Sequence, residues 1–184
     1  EAVFNCMESL LPEYSAFGAV RQPAGSALPG IAPSNAYACA DGMVVIGGNG
    51  DSIFKRLMIA IGRDDLATDP ELASNPGRVQ RVAEIDAAIG AWTGTRAVAQ
   101  VVDVLNAASV PVGRIYTAED IAHDPHYQAR EMLLDVTSAD GLTVQVPGIV
   151  PKLSATPGAI ARRAPTLGED TEAVLARIQP SKGA

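Results

Sequence analysis

Polar and apolar residues along the chain follow two rhythms, one helical and one alternating. In "EAVFNCMESLLPEYSAF" the residues Ala2, Val3, Met7, Leu10, Leu11, Tyr14 and Phe17 recur at helical spacing, which predicts a helix over 1–17. No Ser, Thr, Asp or Asn precedes it as a cap, and the chain opens at Glu1 without a methionine, so it reads as a fragment that begins partway into an element. "AVRQPAGSALPGIAPS" after Gly18 is a Pro- and Gly-rich loop. In "NAYACADGMVVIGG" two apolar runs flank Asp41-Gly42, the dipeptide suited to a type I′ hairpin turn with both central residues at positive φ. "GGNGDSIFKRLMIAIG" is a helix with Asp51 or Ser52 as cap, Phe54, Leu57, Met58 and Ile61 on one face, and Gly62 at its end.

A turn-rich stretch, "RDDLATDPELASNPG", comes next. The helix predicted in "RVQRVAEIDAAIGAWTG" points Val79, Val82, Ile85, Ala88 and Ile89 inward. The one in "TRAVAQVVDVLNAASV" points Val98, Val101, Val102 and Leu105 inward, with Thr95 as cap. The short Thr93-Gly94 turn between them predicts an antiparallel helical hairpin. "VGRIYT" is a strand, and "AEDIAHDP" a short helix capped by Thr117 with Glu119 and Asp120 at its positive end. "MLLDVTSADGLTVQV" repeats the hairpin signal around Asp140-Gly141. The remainder is extended and proline-marked up to a closing helix, "EDTEAVLARI". The sum is an α+β fold: a small domain of hairpins plus a helical pair over 19–146, then a return segment and C-terminal helix over 147–184.

Composition narrows the function classes. Of 184 residues 47% are hydrophobic and only 4% aromatic, so a core of Ala, Val, Leu and Ile is expected. The net charge of −7 and the absence of any basic run argue against nucleic acid as a partner. No apolar stretch approaches the ~20 residues a membrane span needs. Cys6 and Cys39 form no CxxC, and are expected to be two reduced core thiols of a cytoplasmic protein.

Candidate chemistry is sparse. His123 and His126 stand one helical turn apart, but Pro125 between them stops a helix and no third ligand is near, so neither is expected to bind metal or catalyse. "GGNGDS" is a glycine-rich strand-to-helix turn, read either as a tight turn with unusual glycine geometry or as a substrate-facing turn through Gly48 and Asn49; it matches neither GxGxxG nor the Walker pattern. "GAVRQPAGSALPG" is an exposed linker or a lid, with Arg21, Gly25, Ser26 and Gly30 as its substrate-loop candidates. No GxSxG and no His–Asp pair is placed to activate Ser26. Arg162-Arg163 reads as a solvated pair. No catalytic and no metal-binding residue is assigned.

Read in order, the segments "SNAYACADGMVVIGGNGDSIFKRLMIAIGRDDLATDPELASNPGRV", "ASVPVGRIYTAEDIAHDPHYQAREMLLDV", "VPGIVPKLS" and "APTLGEDTEAVL" resemble the C-terminal half of the class III coenzyme A transferases. This is the group of formyl-CoA transferase, carnitine-CoA transferase and the α-methylacyl-CoA racemases. The resemblance is met by Asp41-Gly42, Gly48-Asn49, Asp69-Pro70 with Arg78, Val110-Pro111 with Gly113, and Leu167-Gly168 with Thr171 and Leu175. Arg114 stands where proline is usual and Asp170 where histidine is usual.

The resemblance implies a parent about twice as long. It would have a Rossmann-like large domain made from both chain ends, to which residues 1–18 and 147–184 belong, and would form an interlocked homodimer with the missing N-terminal half. It implies CoA transfer from an acyl-CoA, with succinyl-CoA as one such donor, to a carboxylic acid. The nucleophile would be an aspartate upstream of this chain. The CoA thioester is substrate, with no tightly bound cofactor. The loop at "RQPAGSALPG" falls where formyl-CoA transferases carry a glycine-rich mobile loop, and is less glycine-rich here. An α-methylacyl-CoA racemase and a non-catalytic assembly module are the alternatives. The chain alone is expected to be inactive.

Overall fold

The computed structural model describes residues 2–7 and 9–178. The chain forms two compact units, Glu1–Ile115 and Tyr116–Ala184. Glu1 and Glu8 of the expected first helix lie outside the described residues. The rest of that helix is two pieces, α1 (Ala2–Asn5) and α2 (Leu10–Phe17). Between them the Met7 and Leu10 amides donate to carbonyls only three residues back. Pro12 gives the reason: in one continuous helix its ring would strike the carbonyl four residues earlier, whereas the first turn of a new helix tolerates it. No residue of α2 is buried, and Gly18 closes it at φ +66, its amide donating to Tyr14 O at 2.8 Å.

The core is built on a three-stranded antiparallel sheet, β1 (Ser34–Cys39), β2 (Gly42–Gly47) and β3 (Val112–Arg114), in that order. Tyr37 faces Val44 and Ile46 faces Val112, so alternate residues of the first two strands enter the core while Met43 and Val45 stay half exposed. The first hairpin is present, but its turn differs from expectation. Cys39 pairs with Gly42, so Ala40 and Asp41 are the turn residues, and neither they nor Gly42 has positive φ. Tertiary bonds decide this: the Ala40 amide donates to Arg96 O at 2.9 Å, and Asp41 Oδ1 accepts the Val98 amide at 2.7 Å.

Helix α3 (Asp51–Ala60) buries Phe54, Leu57 and Met58. Gly50 occupies its cap position, its carbonyl accepting from Phe54, and neither Asp51 nor Ser52 caps it. Gly62 ends the run at φ +76 while the Arg63 amide reaches back to Met58 O, a left-handed helix stop. There follow α4 (Asp64–Thr68), a 3₁₀ turn at Pro70–Leu72, α5 (Asn75–Gln80) and α6 (Val82–Thr93). The single helix expected over 78–94 thus breaks at Arg81, and Val82 is exposed rather than inward. Helix α7 (Val98–Ala107) buries Val98, Val101 and Leu105; Ala97, not Thr95, sits at its cap, and Asp41 supplies the capping oxygen. The expected helical hairpin gives way to packing on the sheet: α6 leans on β1, and α7 on β2, β3 and α3. One core joins Tyr37, Val44 and Ile46 to Leu57, Ile85, Ile89, Val101 and Leu105.

The second unit begins with α8 (Ala118–His123), capped as expected: Thr117 Oγ1 accepts the Asp120 amide at 3.2 Å and Asp120 Oδ2 accepts the Thr117 amide at 2.8 Å. Pro125 ends α8 and opens α9 (Pro125–Ala129), for which Asp124 is the cap. Strands β4 (Leu133–Thr137) and β5 (Thr143–Pro147) pair antiparallel. Gly141 takes φ +86 at their turn, so here the glycine of the Asp-Gly pair does occupy the left-handed region. Residues 148–166 are extended or bent, 167–170 form a turn, and α10 (Thr171–Ile178) closes the described chain with Val174, Leu175 and Ile178 exposed. Cys39 is partly buried but Cys6 is exposed, so only one of the two free thiols is near the core. Among the described residues no helix is long and apolar enough to cross a membrane.

Candidate functional site

The loop after α2 is tied at several points. At its start Arg21 grips α2, with Nε on Glu13 Oε2 at 2.7 Å and Nη2 on Ser9 Oγ at 2.8 Å. This pairing holds the Glu13 carboxyl below its ordinary pKa. Gly25 (φ +62) and Gly30 (φ +81) bend the loop in a region that L side chains avoid. Between them Ser26 Oγ donates to Asn35 Oδ1 at 2.7 Å. At the loop's end Asn75, at the start of α5, accepts the Ala32 amide at 3.0 Å and donates to Gly30 O at 2.9 Å.

The glycine-rich turn lies against that same end. The Gly48 amide donates to Pro33 O at 3.0 Å. A Cβ at Gly48 would stand 2.5 Å from Leu57 Cδ2 and 2.9 Å from Pro33 Cγ. None of Gly47, Gly48 and Gly50 has positive φ, so close approach, not unusual backbone geometry, explains glycine at 48. The two groups of candidates, the loop's Gly30 and the turn's Gly48 and Asn49, therefore meet around Ala32 and Pro33. Arg21, Gly25 and Ser26 belong to the farther part of the loop.

Arg78 of α5 binds this junction together, and it was not among the expected site residues. It is fully buried. Its Nε donates to Ala32 O at 2.9 Å and Nη1 to Leu72 O at 3.1 Å. Nη2 donates to both Asn49 O at 2.8 Å and Asp51 Oδ1 at 2.7 Å. The guanidinium also lies over the Phe54 ring, 5.1 Å from its centroid. One signal in the sequence marked it: Arg78 stands with Asp69-Pro70 among the positions that carry the family resemblance.

A second polar cluster ties the loop to α6. Tyr37 OH donates to Asp86 Oδ1 at 2.6 Å, and Asn35 Nδ2 to Asp86 Oδ2 at 3.1 Å, while Asn35 Oδ1 accepts from Ser26 and from the Ala36 amide. Burial first, and the adjacent Asp86 carboxylate second, push the Tyr37 phenol far above its ordinary pKa. Tyr37 is thus a fixed donor and not a base. Among the described residues Arg78 and Thr93 are the buried polar ones, and no carboxylate is buried. The arrangement fixes backbone segments to one another through Arg78, Asn75, Asn35 and Asp86.

The model of CoA-transferase family III matches residues 1–171. The chain belongs to that family. Among similar proteins, the succinyl-CoA–D-citramalate CoA-transferase of Chloroflexus aurantiacus is 42% identical over 176 residues, covering 95% of this chain and 44% of that protein. The beta subunit of the succinyl-CoA–L-malate CoA-transferase of the same organism is 33% identical, covering 97% of this chain and 45% of that one. A CAIB/BAIF family protein from Brucella suis superposes with a TM-score of 0.76 at 27% identity, covering 95% of this chain and 45% of that one. The family III chain thus spans a little under half the length of these relatives.

Other positions that carry the family resemblance make local contacts in this family III chain. Asp69 caps the 3₁₀ turn, accepting the Glu71 amide at 2.9 Å, and pairs with Arg81 at 2.6 Å. Pro111 O receives the Gly47 amide, joining β3 to the glycine turn. Asp170 is held by Arg162, which lowers its pKa. His123 Nδ1 lies 2.8 Å from Glu119 O, and the His126 amide donates to Asp124. In the second unit a groove of about 590 Å³ opens between β4 and the bends at 149–160, and its Lys152 is tied to Glu131 at 3.2 Å. No group of three metal-ligating side chains occurs among the described residues.

Proposed function

We propose that this chain is the C-terminal part of a family III CoA-transferase that passes CoA from succinyl-CoA to a dicarboxylic acid. The 42% identity to a succinyl-CoA–D-citramalate CoA-transferase over 95% of the chain carries this reading. The named acceptors of the similar enzymes, citramalate and malate, share two carboxylates, so a dicarboxylate is the acceptor class. Exchange of one thioester for another needs only a held carboxylate nucleophile. In this proposal that group is an aspartate in the part of the protein not represented here.

Within the proposal, residues 19–146 make the small domain, and 1–18 and 147–184 belong to the large one. The loop residues Arg21, Gly25, Ser26 and Gly30 and the turn residues Gly48 and Asn49 form the face that receives the CoA thioester. The whole protein is a cytoplasmic homodimer containing both halves, with no tightly bound cofactor. The test is acyl transfer followed by mass spectrometry, with succinyl-CoA and a panel of dicarboxylates. The full-length protein should form new acyl-CoA and the 184-residue chain none. Turnover by the chain alone, abolished by one carboxylate-to-amide change, would place the nucleophile in this half and overturn the reading.

A further inference from the structure

We propose that Arg78 is a positioning residue for this reaction: one guanidinium holds the end of the 19–33 loop in register with the Gly48-Asn49 turn. This rests on the reading that loop and turn face the thioester. Each of its four bonds goes to a different segment: Ala32 in the loop, Leu72 in the 3₁₀ turn, Asn49 in the glycine turn and Asp51 at the start of α3. The guanidinium is planar, so fixing one bond direction fixes the others. Its face is pinned on the buried Phe54 ring, which blocks rotation of the fork. Three of the acceptors are neutral carbonyls, so the side chain acts mainly as a template for backbone.

Asn75, three residues earlier in the same helix, gives the contrast. It holds Gly30 and Ala32 but makes no bond to the glycine turn. Asp51 gives a second contrast. Its side chain is 66% exposed and its bond is to Arg78, so its influence on the loop passes through the guanidinium. Lysine at 78 would keep the charge and lose the fork.

The experiment is hydrogen–deuterium exchange on the 184-residue chain, read in peptides covering 28–35, 47–53 and 98–107. Arg78→Lys should raise exchange about tenfold in both of the first two and leave α7 protected. Asn75→Ala should raise it in 28–35 alone. A uniform rise that includes 98–107, or a rise confined to one of the two segments in Arg78→Lys, overturns the proposal. If Arg78→Lys does not fold, Asp51→Asn decides: a rise in 28–35 supports the template, and a rise confined to 47–53 overturns it. A kinetic arm uses the full-length protein. Arg78→Lys should raise KM for succinyl-CoA about tenfold more than it lowers kcat. Correct exchange shifts with unchanged kinetics would overturn the substrate-face reading and leave the template standing; unchanged exchange would overturn the template itself.

Discussion

Two demands place glycine in this chain, close approach at positions such as Gly48 and Gly77, and left-handed backbone at Gly18, Gly25, Gly30, Gly62 and Gly141. A Cβ at Gly77 would lie 1.7 Å from Glu71 O, because α5 passes directly over the 3₁₀ turn. Gly77→Ala should therefore lower the unfolding free energy by at least the ~1–3 kcal/mol typical of overpacking. Gly90, inside α6, has nothing within 4 Å of its Cβ position. Gly90→Ala should instead stabilise by about 0.5–1 kcal/mol through helix propensity. Urea titrations of the two variants compare them directly, and equal shifts would remove the distinction. Gly42 belongs to the first class, with Val98 Cγ2 3.2 Å from its Cβ position, so valine there is disfavoured by crowding and not by φ.

Among the elements, the two hairpins share a sequence signal and differ in what fixes their turns. Gly141→Val should weaken the second hairpin, since a β-branched residue is poorly tolerated at φ +86. Faster exchange of the β4 and β5 amides would show it, and unchanged protection would contradict it. Asp41→Ala should cost about 1 kcal/mol by removing the cap of α7. Periodicity made β1, β2, β4, β5 and the apolar faces of α3 and α7 readable, because burial of Leu57, Val101 and Leu105 repeats at fixed spacing. It missed the break at Arg81, where the side chain turns out to pair with Asp69 and Glu84. It also missed the cap of α7, since Asp41 stands 57 residues away. The candidate site was legible as two separate glycine-rich stretches. Their meeting was not, since it depends on Arg78 and Asn75 reaching carbonyls far off in the chain.

For the chain as a whole, acid should act through carboxylates held by arginine. Arg63 lowers Asp65 from the ordinary 3.8 to about 2, and Arg163 lowers Glu169 from the ordinary 4.5 to about 2. A depressed carboxylate contributes stability that is present above its unfolded pKa and lost as pH falls through the folded one. The melting temperature should thus decline between about pH 4.5 and 2, and Asp65→Asn with Glu169→Gln should flatten that slope. Both carboxylates are exposed, so the slope should also shrink in high salt. The exposed side chains of Leu11, Tyr14 and Phe17 on α2 and of Val174, Leu175 and Ile178 on α10 should make the isolated chain self-associate, which sedimentation at rising concentration would measure. The bond from Asp41 to the Val98 amide has a kinetic consequence. A cap borrowed from a hairpin so far back in sequence cannot form until a large chain loop has closed. The first turn of α7 should therefore lock late, so Asp41→Ala should hasten unfolding while leaving the refolding rate nearly unchanged, and slowed refolding would contradict this.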